Sequence, residues 1–256
     1  MIRKTMGALA AVLVLGGAPA HAAALRVFVG GAMTETIEQI GTAYAKKSGN
    51  TMDYVSDTTG ALQKRLAAGE KADVIVVTAA GMDQLAKESR IDPASRTDLV
   101  RALIGVAIKK GAKTPAMKTA DAFKAALLKA KTVSYVNPAA GGASGTYFEG
   151  LMKKMGIYDE MKPKVVYRNE GSQVADAVAK GDAELGISFI AELAPNKGVR
   201  IAGPLPPEVQ NPTNYVAAVL SGASDKNAAR AYIKTMTSPQ GRAIFRKAGL
   251  EPLGAK

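Results

Sequence analysis

The chain has 256 residues, with 34 Lys plus Arg against 22 Asp plus Glu, one histidine and no cysteine. Lack of cysteine rules out disulfides, thiolate nucleophiles and thiolate metal sites. The formal charge of +12 is scattered in pairs such as Lys46-Lys47, Lys109-Lys110 and Lys153-Lys154. With aromatics at only 5%, the chain is poorly supplied with stacking platforms for nucleic acid, and the positive residues read as solvated faces.

The opening MIRKTMGALAAVLVLGGAPAHA carries Arg3 and Lys4, an apolar stretch from Met6 to Leu15, and Ala20-His21-Ala22 as an A-x-A cleavage site. It reads as a secretory signal peptide over 1–22. The apolar stretch falls short of the roughly 20 residues that span a membrane. Cleavage would take His21, the only histidine, and leave a charge of +10. A mature chain without His or Cys cannot run a Ser-His-Asp or Cys-His mechanism and lacks the usual zinc ligands. Without cysteine there is also no lipid anchor, so the expectation is a protein free in the periplasm.

From there, apolar runs alternate with helical periods. LRVFVG (25–30) reads as a strand, followed by Met33, Ile37, Ile40 and Tyr44 on one helical stripe. TMDYVS (51–56) is a second strand, Leu62 and Leu66 start a helix, and ADVIVVT (72–78) is a third strand, apolar after Asp73. This β-α-β-α-β order predicts a parallel sheet flanked by helices. LVRALIGVAIKKG (99–111) is long, apolar and proline-free, and predicts one strand crossing between two lobes. Phe123 and Leu127 mark a helix, TVSYV (132–136) a strand, Gly145 to Met155 a helix, VVY (165–167) a strand, Val174 and Val178 a helix, and ELGISFI (184–190) a strand. Residues 201–222 hold four of the twelve prolines and read as the return crossing; Asp225 to Met236 and Ser238 to Lys247 are helical and should pack on the first lobe. The expectation is therefore α/β, two Rossmann-like lobes joined by two crossover strands: lobe 1 from 23–104 plus 212–256, lobe 2 from 105–211.

Ligands of open parallel sheets bind where strands end and helices begin. Four such junctions are legible: Gly30-Gly31-Ala32-Met33-Thr34, Asp57-Thr58-Thr59-Gly60, Ser144-Gly145-Thr146, and Arg168-Asn169-Glu170-Gly171-Ser172. Each offers backbone N–H groups at a helix N-terminus, where about half a positive charge resides. The expected cleft therefore suits a small anion. Lone Ser or Thr residues at such places serve equally as helix caps, and Asp57 reads as a cap of the second helix. Catalytic motifs are missing: no Lys follows Gly145 as a phosphate loop requires, Gly142-Ala143-Ser144-Gly145-Thr146 lacks the last glycine of a nucleophile elbow, and no serine opens an S-x-x-K.

The segments LRVFVGGAMTETIEQIGTAYAKKSG, DTTGALQKRLAAGEKADVIVV, GASGTYFEGLMKKMGI and VAKGDAELGISFI resemble the periplasmic molybdate-binding proteins and the wider extracellular solute-binding family, from Leu25 to Pro252. The resemblance implies a type II periplasmic binding protein fold, closure of two lobes on a ligand, and service to an ABC permease in the inner membrane. It places ligand contacts at Ala32 (with Met33 beside it), Thr59 (in the loop Thr58 to Gly60), Ser144 (with Gly145 and Thr146), Gly171 or Ser172, and Phe189. Ala32 and Phe189 lack the hydroxyls that molybdate binders carry there, and Ser144 adds one. Arg168 has no counterpart and suits a planar carboxylate by two parallel hydrogen bonds. The expectation is a monomeric, non-enzymatic receptor for a molybdate-type oxyanion or small carboxylate, with no cofactor, no metal and no nucleic acid. Two rivals stay open: an envelope enzyme acting on a small anion through Asp57, Glu170 or lysines, and a ligand-reporting partner of a membrane sensor.

Overall fold

A computed structural model describes residues 24–254; the predicted signal peptide, with His21, lies outside them. The chain runs through β1 (Ala24–Gly30), α1 (Thr34–Ser48), β2 (Thr51–Asp57), α2 (Thr59–Ala67), β3 (Val74–Thr78), α3 (Ala79–Lys87), β4 (Thr97–Ala102) and β5 (Ile104–Lys109). It continues through α4 (Ala120–Lys129), β6 (Val133–Val136), α5 (Ala143–Lys154), α6 (Tyr158–Met161), β7 (Val165–Arg168), α7 (Gly171–Lys180), β8 (Leu185–Phe189), α8 (Ile190–Leu193) and β9 (Val199–Pro204). β10 (Thr213–Val219), α9 (Lys226–Met236), α10 (Pro239–Lys247) and β11 (Glu251–Pro252) complete it.

The strands form two sheets. One has the order β11-β4-β10-β3-β1-β2, the other β7-β6-β8-β5-β9. β3 is buried along its whole length, as an apolar strand covered on both faces must be. Leu62, Leu66, Met82 and Leu85 cover one face of the first sheet. Ile37, Ile40, Tyr232 and Phe245 cover the other, so the C-terminal helices do pack on the first lobe. Tyr232 fixes them there by donating from its hydroxyl to the Ile37 carbonyl at 2.7 Å.

Two sequence expectations are corrected. The sheets are mixed, not parallel: β10 runs antiparallel to β3 and β4, and β5 antiparallel to β8 and β9. These are the strands at the crossings, which enter each sheet from the other lobe. The stretch 99–111 is also not one strand. It breaks at Leu103, whose carbonyl accepts the Ile190 N–H at 3.0 Å, so β4 ends in one sheet and β5 begins in the other. Gln210, on the return crossing, ties the two passages together. Its side chain accepts the Ile104 N–H at 3.2 Å and donates to the Ile104 carbonyl at 2.9 Å.

Candidate functional site

Between the sheets lies a narrow cleft lined by Gly31, Asp57, Thr58, Thr59, Val136, Gly142, Ala143, Ser144, Glu170, Gly171, Phe189, Glu192 and Tyr215. Its free space, open mouth included, is about 330 Å³. Three helices of eight residues or more begin at it: α2, α5 and α7. Their N-termini together present about +1.5 charges before screening. The fourth expected junction contributes less, because a 3₁₀ turn over Gly31–Met33 separates β1 from α1. That turn puts Gly31 at the cleft and swings Ala32 and Met33 into the core, where they are 3% and 0% exposed.

The lobes meet over the cleft. The Thr58 hydroxyl donates to the Ala140 carbonyl at 2.5 Å while its oxygen accepts the Ala61 N–H at 3.2 Å, so one side chain caps α2 and bridges the lobes. Gly60 and Gly141 are in backbone contact: a Cβ on Gly60 would lie 2.9 Å from the Gly141 Cα. Asp57 does not cap α2. Its carboxylate accepts from the Thr58 N–H at 2.8 Å and pairs with Arg65 at 3.3 Å.

Of the twelve predicted contact residues, Thr58, Thr59, Ser144, Gly171 and Phe189 line the cleft. Ala32, Met33, Gly60, Gly145, Thr146, Arg168 and Ser172 do not. Gly60 serves the lobe contact. Gly145 serves close packing, since a Cβ there would meet the Val136 carbonyl oxygen at 1.8 Å. Thr146 is exposed and donates back to the Gly142 carbonyl at 3.0 Å. Arg168 is drawn away from the cleft by Asp182, to which it donates at 3.1 Å. Ser172 lines an adjoining hollow instead.

Glu192 was missed. It stands in the short helix α8, three residues past Phe189, and lines both the cleft and that hollow. Ser188, fully buried, donates to its Oε2 at 2.5 Å, and the Ser144 and Ser188 hydroxyls are 3.2 Å apart. Two glycines, one from each lobe, make room for the carboxyl: a Cβ on Gly31 would lie 2.6 Å from Oε1, and one on Gly171 2.0 Å from Oε2. Burial pushes the Glu192 carboxyl up to about 7, against the hydrogen bonds from Ser188 and the Phe189 backbone, and Glu170 adds to the rise. Glu170 is itself raised by burial and then by the charge of Asp57 across the cleft, with Ser172 opposing. The Tyr215 hydroxyl is raised by burial and then by Glu192. Its ring meets Phe189 edge-on at 5.8 Å, so the polar floor has an aromatic wall.

The family model for bacterial extracellular solute-binding proteins matches residues 25–251. The chain belongs to that family. Among relatives of this solute-binding protein, the aconitate isomerase of a Pseudomonas species is 31% identical over 237 residues, spanning 91% of this chain and 89% of that one. The molybdate-binding protein ModA of Escherichia coli strain K12 is 25% identical over 247 residues, 95% of each chain. Among solved structures, the periplasmic molybdate-binding protein of Azotobacter vinelandii superimposes with a TM-score of 0.74 at 19% identity, over 91% of this chain and 100% of that one. That likeness shows the two-lobed type II fold.

Proposed function

We propose that this solute-binding protein captures a small organic polycarboxylate in the interlobe cleft of a periplasmic monomer and delivers it to an ABC permease. The observation that carries the reading is the division of the cleft lining. Backbone N–H groups at the starts of α2, α5 and α7, with the Thr59 hydroxyl, offer donors for carboxylate oxygens, whereas Val136, Ala143 and the Phe189–Tyr215 wall offer apolar surface for a carbon skeleton. A tetrahedral oxyanion has no use for such a wall. The resemblance to molybdate binders also implies a hydroxyl at the position of Phe189, which this chain lacks.

A thermal-shift panel on the mature chain, refolded to strip carried-over ligand, tests this with molybdate, tungstate, sulfate, phosphate and mono-, di- and tricarboxylates. A ligand at about 1,000 times its dissociation constant adds about 4 kcal/mol, or roughly 8–16 °C at this size. The expected shift comes with a di- or tricarboxylate. A shift confined to molybdate and tungstate would replace the carboxylate reading by an oxyanion one.

The contact of Gly60 with Gly141, where the Gly60 N–H also donates to the Gly141 carbonyl at 3.4 Å, makes Gly60→Ala informative. Holding the backbones apart costs about 1–3 kcal/mol, so affinity should fall roughly tenfold to a hundredfold by calorimetric titration. Without ligand the lobes are free to part and relieve the contact, so the ligand-free midpoint should change little, alanine being the better helix former. Unchanged affinity would mean that the bound state does not need this contact.

A second reading is favoured by one observation. The cleft contains a carboxyl group poised near neutrality, and a relative at 31% identity is an isomerase of an unsaturated tricarboxylate. In this reading the protein also shifts a double bond in the ligand it holds. Turnover of trans-aconitate would establish it; release of unchanged ligand would exclude it.

A further inference from the structure

We propose that Glu192 is the acid–base group of the cleft and moves one proton between two carbons of a bound allylic polycarboxylate. This rests on the second reading above. An unsaturated tricarboxylate such as aconitate has a CH₂ next to a carbon–carbon double bond that bears carboxylates. The ionised Glu192 takes a proton from that CH₂, and the C–H electron pair spreads over the allyl–carboxylate system. The neutral acid then returns a proton to the former vinyl carbon. One C–H bond breaks, one forms and the double bond moves by one position. Nothing is oxidised or reduced, and no co-reactant is needed. A single carboxyl suffices for both transfers, which is what the cleft provides.

Four features of the site support this assignment. The carboxyl lies where both lobes close, in space kept free by Gly31 and Gly171. It is held by Ser188 at 2.5 Å, and Ser188 by Ser144 at 3.2 Å, a chain that fixes its position while leaving an oxygen for the ligand. The N-termini of α2, α5 and α7 face the same space and would hold the charge that builds up on the ligand carboxylates when the proton leaves. Finally, Glu192 also borders the hollow formed with Glu35, Glu38, Glu170 and Ser172, so its proton can exchange with solvent.

The charged and titratable groups around Glu192 are Glu170 at the head of α7, Tyr215 in β10, Asp57 at the end of β2, and Glu35 and Glu38 of α1 across the hollow. None of these is cationic, and Glu170 joins burial in holding the proton on Glu192. With the carboxyl at about 7, it is a base strong enough to act yet ionised in a large fraction at neutral pH. As the base it must be ionised in the free protein, so kcat/KM should rise with pH to a plateau above about 7.

The test uses the mature full chain, wild type, Glu192→Gln and Glu192→Asp, with trans-aconitate in D₂O followed by proton NMR. Tricarballylate, the saturated analogue, reports binding separately. We expect the wild type to form the isomer with deuterium at the exchanged carbon. Glu192→Gln should lose about 10²- to 10⁴-fold in rate while still binding tricarballylate, at least as tightly as wild type, because a carboxylate beside the bound anion is gone. Glu192→Asp should keep measurable turnover with the pH limb moved down toward the ordinary carboxylate range, a shift that a merely structural side chain would not produce. If the wild type isomerises and Glu192→Gln does so within threefold, the role of Glu192 is overturned and the isomerase reading stands. If the wild type neither isomerises trans-aconitate nor exchanges its protons, whether or not it binds tricarballylate, the isomerase reading and this assignment both fall.

Discussion

Replacing Gly145 by alanine should destabilise the protein by about 3 kcal/mol or more, above the middle of the range for overpacked cores, lowering the midpoint by roughly 6–12 °C. The new Cβ would sit 1.8 Å from the Val136 carbonyl oxygen and 2.7 Å from its carbonyl carbon. Both are backbone atoms of β6, the strand that pairs with β7 and β8, so no side chain can turn away to relieve the clash. The first turn of α5 must lift off the sheet. Ser144 would rise with it, breaking its 3.2 Å contact with Ser188 and withdrawing one donor from the cleft. Ligand binding should therefore be lost together with stability. Gly150→Ala is the control, because Gly150 lies in the same helix with nothing within 4 Å of its Cβ position. That change should be neutral or stabilise by up to about 1 kcal/mol. Equal midpoints for the two variants would contradict the packing account of the GASGT loop.

The same loop shows what the sequence could and could not convey. Three glycines, a serine and a threonine at a strand–helix junction were legible as a place where a backbone comes close to something. At Gly145 that something is the neighbouring strand and not the ligand, and a one-dimensional pattern cannot separate the two. Most strands and several of the longer helices were legible because burial on two faces leaves unbroken apolar runs, as at Val74–Thr78, and burial on one face leaves a 3.6-residue stripe, as at Ile37, Ile40 and Tyr44, but β4 and β5 read as one strand and α3 went unread. The mixed direction of the sheets was not legible, since β5 and β10 have the same apolar character whichever way they run.

Within the site, the junction rule located the helices but missed by a residue where a turn intervened. The 3₁₀ turn after β1 rotates Gly31 to the cleft and Ala32 and Met33 into the core. Arg168 had the right chemistry for a carboxylate, but Asp182, fourteen residues on, holds its guanidinium elsewhere. Tyr215 arrives from the return strand, far from its cleft partners in sequence. Glu192 carried the one signal that could have been read: a lone carboxylate in the run GISFIAELA, immediately after a fully buried strand, where an ionised side chain is costly unless it has a use.

Glu192 should also govern how stability depends on pH. Its carboxyl is raised from 4.5 to about 7 in the folded protein, chiefly by burial. Between those values the native state keeps a proton that the unfolded chain has released, so native binds more protons and unfolding free energy falls as pH rises. The loss begins near 4.5 and is complete above about 7. A shift of this size corresponds to about 3 kcal/mol, reduced to about 2 because part of the side chain faces the cleft and hollow. Glu192→Gln removes the titration and leaves a neutral amide of the same length. The variant should therefore equal or exceed wild type in stability at pH 8 by about 2 kcal/mol and lose that advantage near pH 4.5. Glu170, raised in the same direction, remains in both proteins, so the difference between their denaturant-unfolding curves across pH 4–8 is the quantity to read. Parallel curves would mean that the ligand-free protein opens far enough to hydrate Glu192, and that the carboxyl is desolvated only when the lobes close on a ligand.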